Sequence, residues 1–221
     1  MSKKRGVGKR QVPPRFILVC EGQTERGYFQ AVNQLLRLAG ISVKAVQDEV
    51  SPLAIVDRAK DYITGNPKRG IEAVEKQDQV WVVFDWDEHT GEVVRARKEA
   101  ERLGIHVALS NPCFDVWLIW HLEDYMRVGC LAKQTDAELK KVWPSYSKGA
   151  DNPWAALWTG LRKDGLHEAS RRAREADAKL RSDNLAYPEN RPSSEVLELM
   201  DAIKDVWEKT ARRGTGECPV G

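Results

Sequence analysis

Residues 15–40 read RFILVCEGQTERGYFQAVNQLLRLAG, and the change of rhythm inside that stretch decides the fold. Phe16, Ile17, Leu18, Val19 and Cys20 form an unbroken apolar run. Such a run reads as a short strand covered on both faces, the situation of a strand inside a parallel sheet. Glu21 and Gly22 end it abruptly. From Thr24 onward the apolar positions Tyr28, Phe29, Val32, Leu35, Leu36 and Leu38 recur at helical spacing, until Gly40 supplies a C-cap. The unit is a strand, an acidic residue, then a helix.

The same rhythm returns downstream. Ile41, Val43 and Val46 predict a second strand, and Ser51 with Pro52 has the cap and first-turn chemistry to start a helix through Ile55, Val56, Ala59 and Ile63. Asn66, Pro67 and Gly70 break the chain. Val80, Trp81, Val82, Val83 and Phe84 predict a third strand that runs directly into Asp85, Trp86, Asp87, Glu88 and His89. A helix over about 91–103 closes at Gly104, and Ile105 to Leu109 predicts a fourth strand. Ser110, Asn111 and Pro112 then lead into an apolar helix carrying Phe114, Trp117, Leu118 and His121. This alternation predicts an α/β domain over 15–122, with a parallel four-stranded sheet, right-handed crossovers and flanking helices.

After residue 123 the strand signals stop, and 123–212 reads as a helical extension. Thr135 with Glu138 has the capping-box pattern, Asp151 to Pro153 can start a helix, and Ser193 or Ser194 can cap the last one. In that last helix Val196, Leu197, Met200, Ile203 and Trp207 line one face, so it should dock. Residues 1–14, with Lys3, Lys4, Arg5, Lys9, Arg10 and the pair Pro13, Pro14, read as a flexible basic arm, and 213–221 as a flexible tail.

Composition narrows the functional classes. A net charge of +2 argues against a molecule that binds nucleic acid by bulk charge, so the distribution of charge matters more than the total. Arg171, Arg172, Arg174, Lys179 and Arg181 crowd one segment, to be read as a solvated face or as phosphate contacts. No run of about 18 apolar residues exists, and the basic start lacks the apolar core of a secretory signal, so a cytoplasmic protein with no membrane role is expected. Cys20, Cys113, Cys130 and Cys218 are widely spaced with no CxxC pair, which points to reduced thiols rather than a zinc knuckle. The eight tryptophans read first as packing anchors, with base stacking as the alternative.

The candidate chemistry sits where strands end. Ligands collect outside the carboxyl ends of parallel strands, because helix amino termini begin there. Glu21 follows the first strand and Asp85 the third, so if those strands are neighbours, Glu21, Asp85 and Asp87 converge on one rim. Asp85 and Asp87, two apart on an extended segment, point the same way with Trp86 opposite. Crowded carboxylates raise each other's pKa unless a cation neutralises them, and magnesium, a hard oxygen-seeking ion, suits the donor set. Gly22 allows close backbone approach, and Thr24 can cap the following helix. Glu25 is either a further ligand or a favourable charge at a helix amino terminus. A DxD after a strand, taken alone, is more often an exposed acidic turn than a metal site. His121, among Trp117, Leu118 and Trp120, reads as a hydrogen-bonded core histidine, with a general base or phosphate contact as the alternative.

The segments FILVCEGQTE (Phe16–Glu25) and VWVVFDWDEH (Val80–His89) resemble the two signature segments of a TOPRIM domain. The block SNPCFDVWLIWHLE (Ser110–Glu123) resembles more narrowly the RloB-like group of that superfamily, and RPSSEVLELM near 191 is similar to its helical end. The resemblance implies a TOPRIM-like, Rossmann-like fold in which Glu21, Asp85 and Asp87 bind Mg2+ (or Mn2+), with Glu25 matching the second acid of the first segment. It also implies a place in bacterial restriction and anti-phage loci, commonly beside an ABC-type or AAA-like ATPase partner. Where the group usually has Glu after NPCF, this chain has Asp115, one methylene shorter.

Two functions follow as expectations. One is a metal-dependent nuclease hydrolysing DNA or RNA, transfer RNA included, and it is the leading reading. The other is a non-catalytic TOPRIM sensor or scaffold of a defence complex, and self-association is compatible with either. An ATPase acting alone is excluded, since Gly6, Gly8 and Lys9 do not make a P-loop and no strand precedes them.

Overall fold

The computed structural model describes residues 14–37, 42–47, 51–86, 90–149, 151–157, 165–186 and 189–211. The basic arm and the tail expected at the two ends therefore lie almost wholly outside the described residues, as do Asp87, Glu88 and His89.

The chain runs β1 (Arg15–Cys20), α1 (Gln23–Arg37), β2 (Ser42–Gln47), α2 (Pro52–Thr64), β3 (Gln79–Asp85), α3 (Thr90–Leu103), β4 (His106–Asn111) and α4 (Asp115–Trp120). It continues through α5 (Ala132–Val142), a 3-10 turn at Trp154–Leu157, α6 (Gly165–Ser182), β5 (Ser193–Ser194) and α7 (Val196–Ala211). The strands form one sheet in the order β2-β1-β3-β4-β5, parallel except for β5. The expected α/β class is what the chain adopts, with five strands in place of four. The fifth is two residues long and pairs Ser194 with Ser110 and Ser193 with Asn111. That is too short to leave an alternating pattern in sequence.

The unbroken apolar strands are explained by cover on both faces. Phe16, Leu18, Cys20, Trp81 and Val83 face α1, α4, α6 and α7, where Tyr28, Phe29, Trp117 and Ile203 are fully buried. Ile17, Val19, Val80, Val82 and Phe84 face α2 and α3, packing on Ile55, Ala59, Val93 and Ala96. Each such side chain contributes about 1.5–3 kcal/mol on burial, so a polar residue at any of these positions would cost the sheet one face.

Helix starts in the second half differ in detail from the sequence pattern. Helix α5 begins at Ala132, with Gln134 Oε1 accepting the Leu131 N–H at 3.2 Å, and Thr135 lies buried one turn in, its hydroxyl donating to the Leu131 carbonyl. The Asp151–Pro153 start leads, among the described residues, into the 3-10 turn at Trp154–Leu157. Ser194 does both jobs at the last start, since it pairs in the sheet and its Oγ accepts the Val196 N–H at 3.4 Å. Among the described residues no helix is long and apolar enough to cross a membrane.

Strand β1 is fixed at its start by Asp78. That carboxylate, 1% exposed, accepts the Arg15 N–H at 2.8 Å, the Arg15 guanidinium at 2.6 and 2.9 Å, and the Glu75 N–H at 2.9 Å. Burial alone would raise the Asp78 pKa, but these donors outweigh it and hold the carboxyl below its usual range. A carboxyl with a depressed folded pKa stabilises above its unfolded value of about 3.9 and loses that contribution as pH falls through the folded value. Asp78→Ala is therefore expected to lower unfolding free energy by about 2 kcal/mol at neutral pH, with the gap to wild type closing below about pH 4. Urea melts at pH 7 and pH 3 measure both, and an equal gap at the two values would contradict the assignment.

Candidate metal centre

The carboxyl ends of β1 and β3 are adjacent, because β1 pairs with β3 from Phe16–Gln79 to Cys20–Val83. The pairing runs one residue further, with the Glu21 N–H donating to the Val83 carbonyl at 2.9 Å. Glu21 then turns its carboxylate onto the next strand: Oε2 accepts the Asp85 N–H at 3.0 Å, across 64 positions of sequence. The two acids share one rim by backbone register, not by chance contact of long side chains.

Glu21 and Asp85 line a cleft of about 330 Å3 together with Gly22, Thr24, Glu25, Cys113, Phe114, Asp115, Tyr146 and Lys148. Trp86 faces the other way, packed in the core cluster beneath α2 and α3, as alternation along an extended segment demands. Asp85 stands half-buried among acids: desolvation first, then Glu25, Glu21 and Asp115, push its pKa well above the carboxylate range, against the Phe114 N–H that hydrogen-bonds it. Glu25, in the first turn of α1 and 6% exposed, is pushed up to about 7 by burial, Glu21 and Asp115, with its own N–H and Lys148 pulling the other way. Its Oε2 is buried and has no hydrogen-bond partner. Gly22 makes that placement possible, since a Cβ there would stand 2.3 Å from the same oxygen.

Asp115 opens α4 at 5% exposure, its Oδ1 accepting the Tyr146 hydroxyl at 2.9 Å, and burial raises its pKa despite that bond and Lys148. The Cys113 thiol is pushed up by burial and by Asp85 and Asp115, so it is an inert lining group rather than a nucleophile. Thr24 does not cap α1, which begins one residue earlier at Gln23. Its Oγ1 instead accepts the Gly149 N–H at 3.1 Å, tying the loop after α5 across the cleft.

Of the acids predicted from sequence, Glu21, Asp85 and Glu25 line one cleft, while Asp87 lies outside the described residues. Among the described residues no three acidic, histidine or cysteine side chains converge closely enough to hold an ion. The reason is visible in the hydrogen bonds: Glu21 rests on the Asp85 N–H, Asp85 on the Phe114 N–H and Asp115 on Tyr146. The donor chemistry nonetheless fits a hard divalent ion. Every acidic group is a carboxylate, and one buried carboxylate oxygen lacks a partner.

Tyr146 and Lys148 were not among the residues singled out from sequence. They sit in SYSKGADNP, a stretch of turn formers with no periodicity to report burial. His121 is a core residue: fully buried, its Nε2 lies 3.1 Å from the Tyr28 hydroxyl, which also accepts the Trp117 indole N–H at 2.8 Å. Burial lowers its pKa to about 3. The basic stretch of α6 is a solvated, ion-paired face. Arg171 and Arg172 meet Glu168 and Asp124, Arg174 meets Asp201, Lys179 meets Asp183 and Arg181 meets Asp177.

The model of the RloB-like protein family matches residues 16–203, a span that takes in all of the sheet but Arg15 and every cleft acid. The chain belongs to the RloB-like family. No curated protein and no solved structure matches it. For this RloB-like chain the match covers both halves of the cleft, the acids after β1 and on α1, β3 and α4 and the loop that brings Tyr146 and Lys148.

Proposed function

We propose that this RloB-like protein is a divalent-metal-dependent nuclease that hydrolyses phosphodiester bonds in DNA or RNA. We place it as the cytoplasmic effector of an anti-phage defence complex with an ATPase partner. One observation carries the nuclease reading: Glu21 and Asp85 meet at the carboxyl rim of adjacent parallel strands, beside a buried Glu25 oxygen that no protein group satisfies. The defence setting rests on the family resemblance.

Glu21, Asp85 and Asp87 would hold the ion, with Glu25 as the fourth acid. To do so Glu21 and Asp85 would turn their carboxylates away from the backbone N–H groups that they now accept, by rotation about side-chain bonds. A divalent ion bound there supplies Lewis-acid stabilisation of the charge that grows on the phosphorus oxygens and lowers the pKa of water. The remaining work falls to the cleft: it excludes bulk water from Cys113 and Phe114 inward and aligns the phosphodiester with the acids. In the reaction a water oxygen forms a bond to phosphorus, one ester P–O bond breaks, and the departing oxygen takes a proton. The products are a phosphomonoester and a free hydroxyl.

A scaffold reading has one observation in its favour, the parked carboxylates that leave no closed three-acid set among the described residues. Full-length protein incubated with labelled single-stranded DNA, duplex DNA and transfer RNA, with Mn2+ or with EDTA, separates the two. Cleavage of at least one substrate with Mn2+ alone, together with a Mn2+-induced rise in melting temperature, is the expected result. Intact substrates and an unmoved melting temperature, with and without the ATPase, would leave the scaffold.

A further inference from the structure

Lys148 stands apart from the basic side chains of α6. It reaches the cleft from the loop after α5, facing Glu21, Glu25, Asp85 and Asp115, yet no carboxylate of the described residues lies within 4.0 Å of its ammonium. The α6 arginines, by contrast, are each matched to an acid. Burial works to lower the Lys148 pKa, but Asp115, Asp136, Cys113 and Asp85 outweigh it, so the side chain is charged.

Its backbone is held from both sides. The Ser147 N–H donates to Asn152 Oδ1 at 3.0 Å, and Asn152 Nδ2 returns bonds to the carbonyls of Ser147 and Gly149 at 2.8 and 3.0 Å. The Gly149 N–H closes onto Thr24 at the start of α1, with φ of 133°, a conformation that favours glycine. Two residues earlier Tyr146 is fixed on Asp115. A surface lysine with no task would not need its loop stapled at three points. A counter-ion for Asp115 would sit against it, whereas Asp115 Oδ1 accepts the Tyr146 hydroxyl and the ammonium stands more than 4.0 Å away.

An exposed ammonium on a held loop, standing off from an acidic cleft, leaves a gap for an anion. A phosphodiester brought to this cleft is repelled by every acid that is ionised there, and a cation presented by the protein offsets that repulsion beside any metal. We propose that Lys148 is a catalytic residue that contacts a non-bridging oxygen of the scissile phosphate, delivered by the helical extension to acids held on the sheet. The assignment rests on the nuclease reading for its reaction, although the phosphate contact itself does not require cutting.

The test uses the full chain as wild type, Lys148→Ala and Lys148→Arg. Cleavage with Mn2+, the Mn2+-induced thermal shift and the salt dependence of labelled oligonucleotide binding in Ca2+ are measured on each. Lys148→Ala is expected to cut about a hundredfold more slowly, with partial recovery in Lys148→Arg and the thermal shift unchanged. Its log–log salt slope should fall by about one, the signature of a lost phosphate contact. Wild-type cleavage and slope in Lys148→Ala would overturn the proposal, as would loss of its Mn2+ shift, which would mean that the lysine acts through the acids. A wild type that binds but does not cut, with the slope reduced in Lys148→Ala, would refute the nuclease reading and uphold the phosphate contact. A wild type that does neither would refute both.

Discussion

Replacing Asp85 with Asn is expected to abolish cleavage and the Mn2+-induced thermal shift while raising the melting temperature of the metal-free protein. The carboxyl is half-buried beside Glu21, Glu25 and Asp115, and its pKa stands well above the ordinary range because desolvation and those neighbours oppose its charge. Asparagine keeps the shape and an oxygen to accept the Phe114 N–H, and it removes one member of a like-charged set. The gain in the metal-free state should be about 1–2 kcal/mol, while loss of a central metal ligand should cost about three orders of magnitude in rate. Opposite signs for stability and activity distinguish a functional acid from a structural one.

The same electrostatics give a pH signature. Glu25, raised to about 7, binds its proton more tightly folded than unfolded, so its favourable contribution is complete below the unfolded pKa of about 4.5 and lost as pH rises through about 7. The metal-free wild type should therefore weaken between pH 5 and 7.5. Mn2+ should restore more stability at the upper end, and Asp85→Asn should flatten the trend. Melting curves across this range, with and without Mn2+, test the set together. A lower melting temperature for metal-free Asp85→Asn would show that the carboxylate is structural.

Gly22→Ala is the second large effect, and it separates position from charge. The added Cβ would lie 2.3 Å from Glu25 Oε2, with the Glu25 carboxyl carbon at 3.2 Å, and no backbone atom approaches as closely. The obstacle is the end of a side chain that can rotate, so stability should change by no more than about 1 kcal/mol. Glu25 must leave its place, however, and a displacement of about 1 Å in a catalytic group costs on the order of a hundredfold in rate. A Gly22→Ala protein that melts like wild type but cuts as fast would mean that the Glu25 position is irrelevant to the chemistry.

Much of the fold was legible in the sequence because it depends on local order. The runs at Phe16–Cys20 and Val80–Phe84 are unbroken because both faces of β1 and β3 are covered, and the helical spacing of Tyr28, Phe29 and Val32 follows from the single face of α1 that meets the sheet. The cap signals were less reliable. Thr135 and Glu138 fit a capping box, yet α5 starts earlier, because the pattern carries no information about where the preceding loop is held. Strand β5 left no signal, since two serines take strand geometry only where Ser110 and Asn111 offer an edge.

The sequence by itself determined the alternating architecture and where each acid stands relative to its own strand, because hydrophobic period and strand ends are properties of neighbouring residues. Only the tertiary structure decided that Glu21 reaches the Asp85 backbone, that Glu25 is buried without a partner for one oxygen, and that Tyr146 and Lys148 complete the cleft. The physical reason is separation along the chain. The bond from Gly149 to Thr24 spans 125 positions, and its formation depends on how the helical extension packs on the sheet, a sum over many buried contacts that no local pattern encodes.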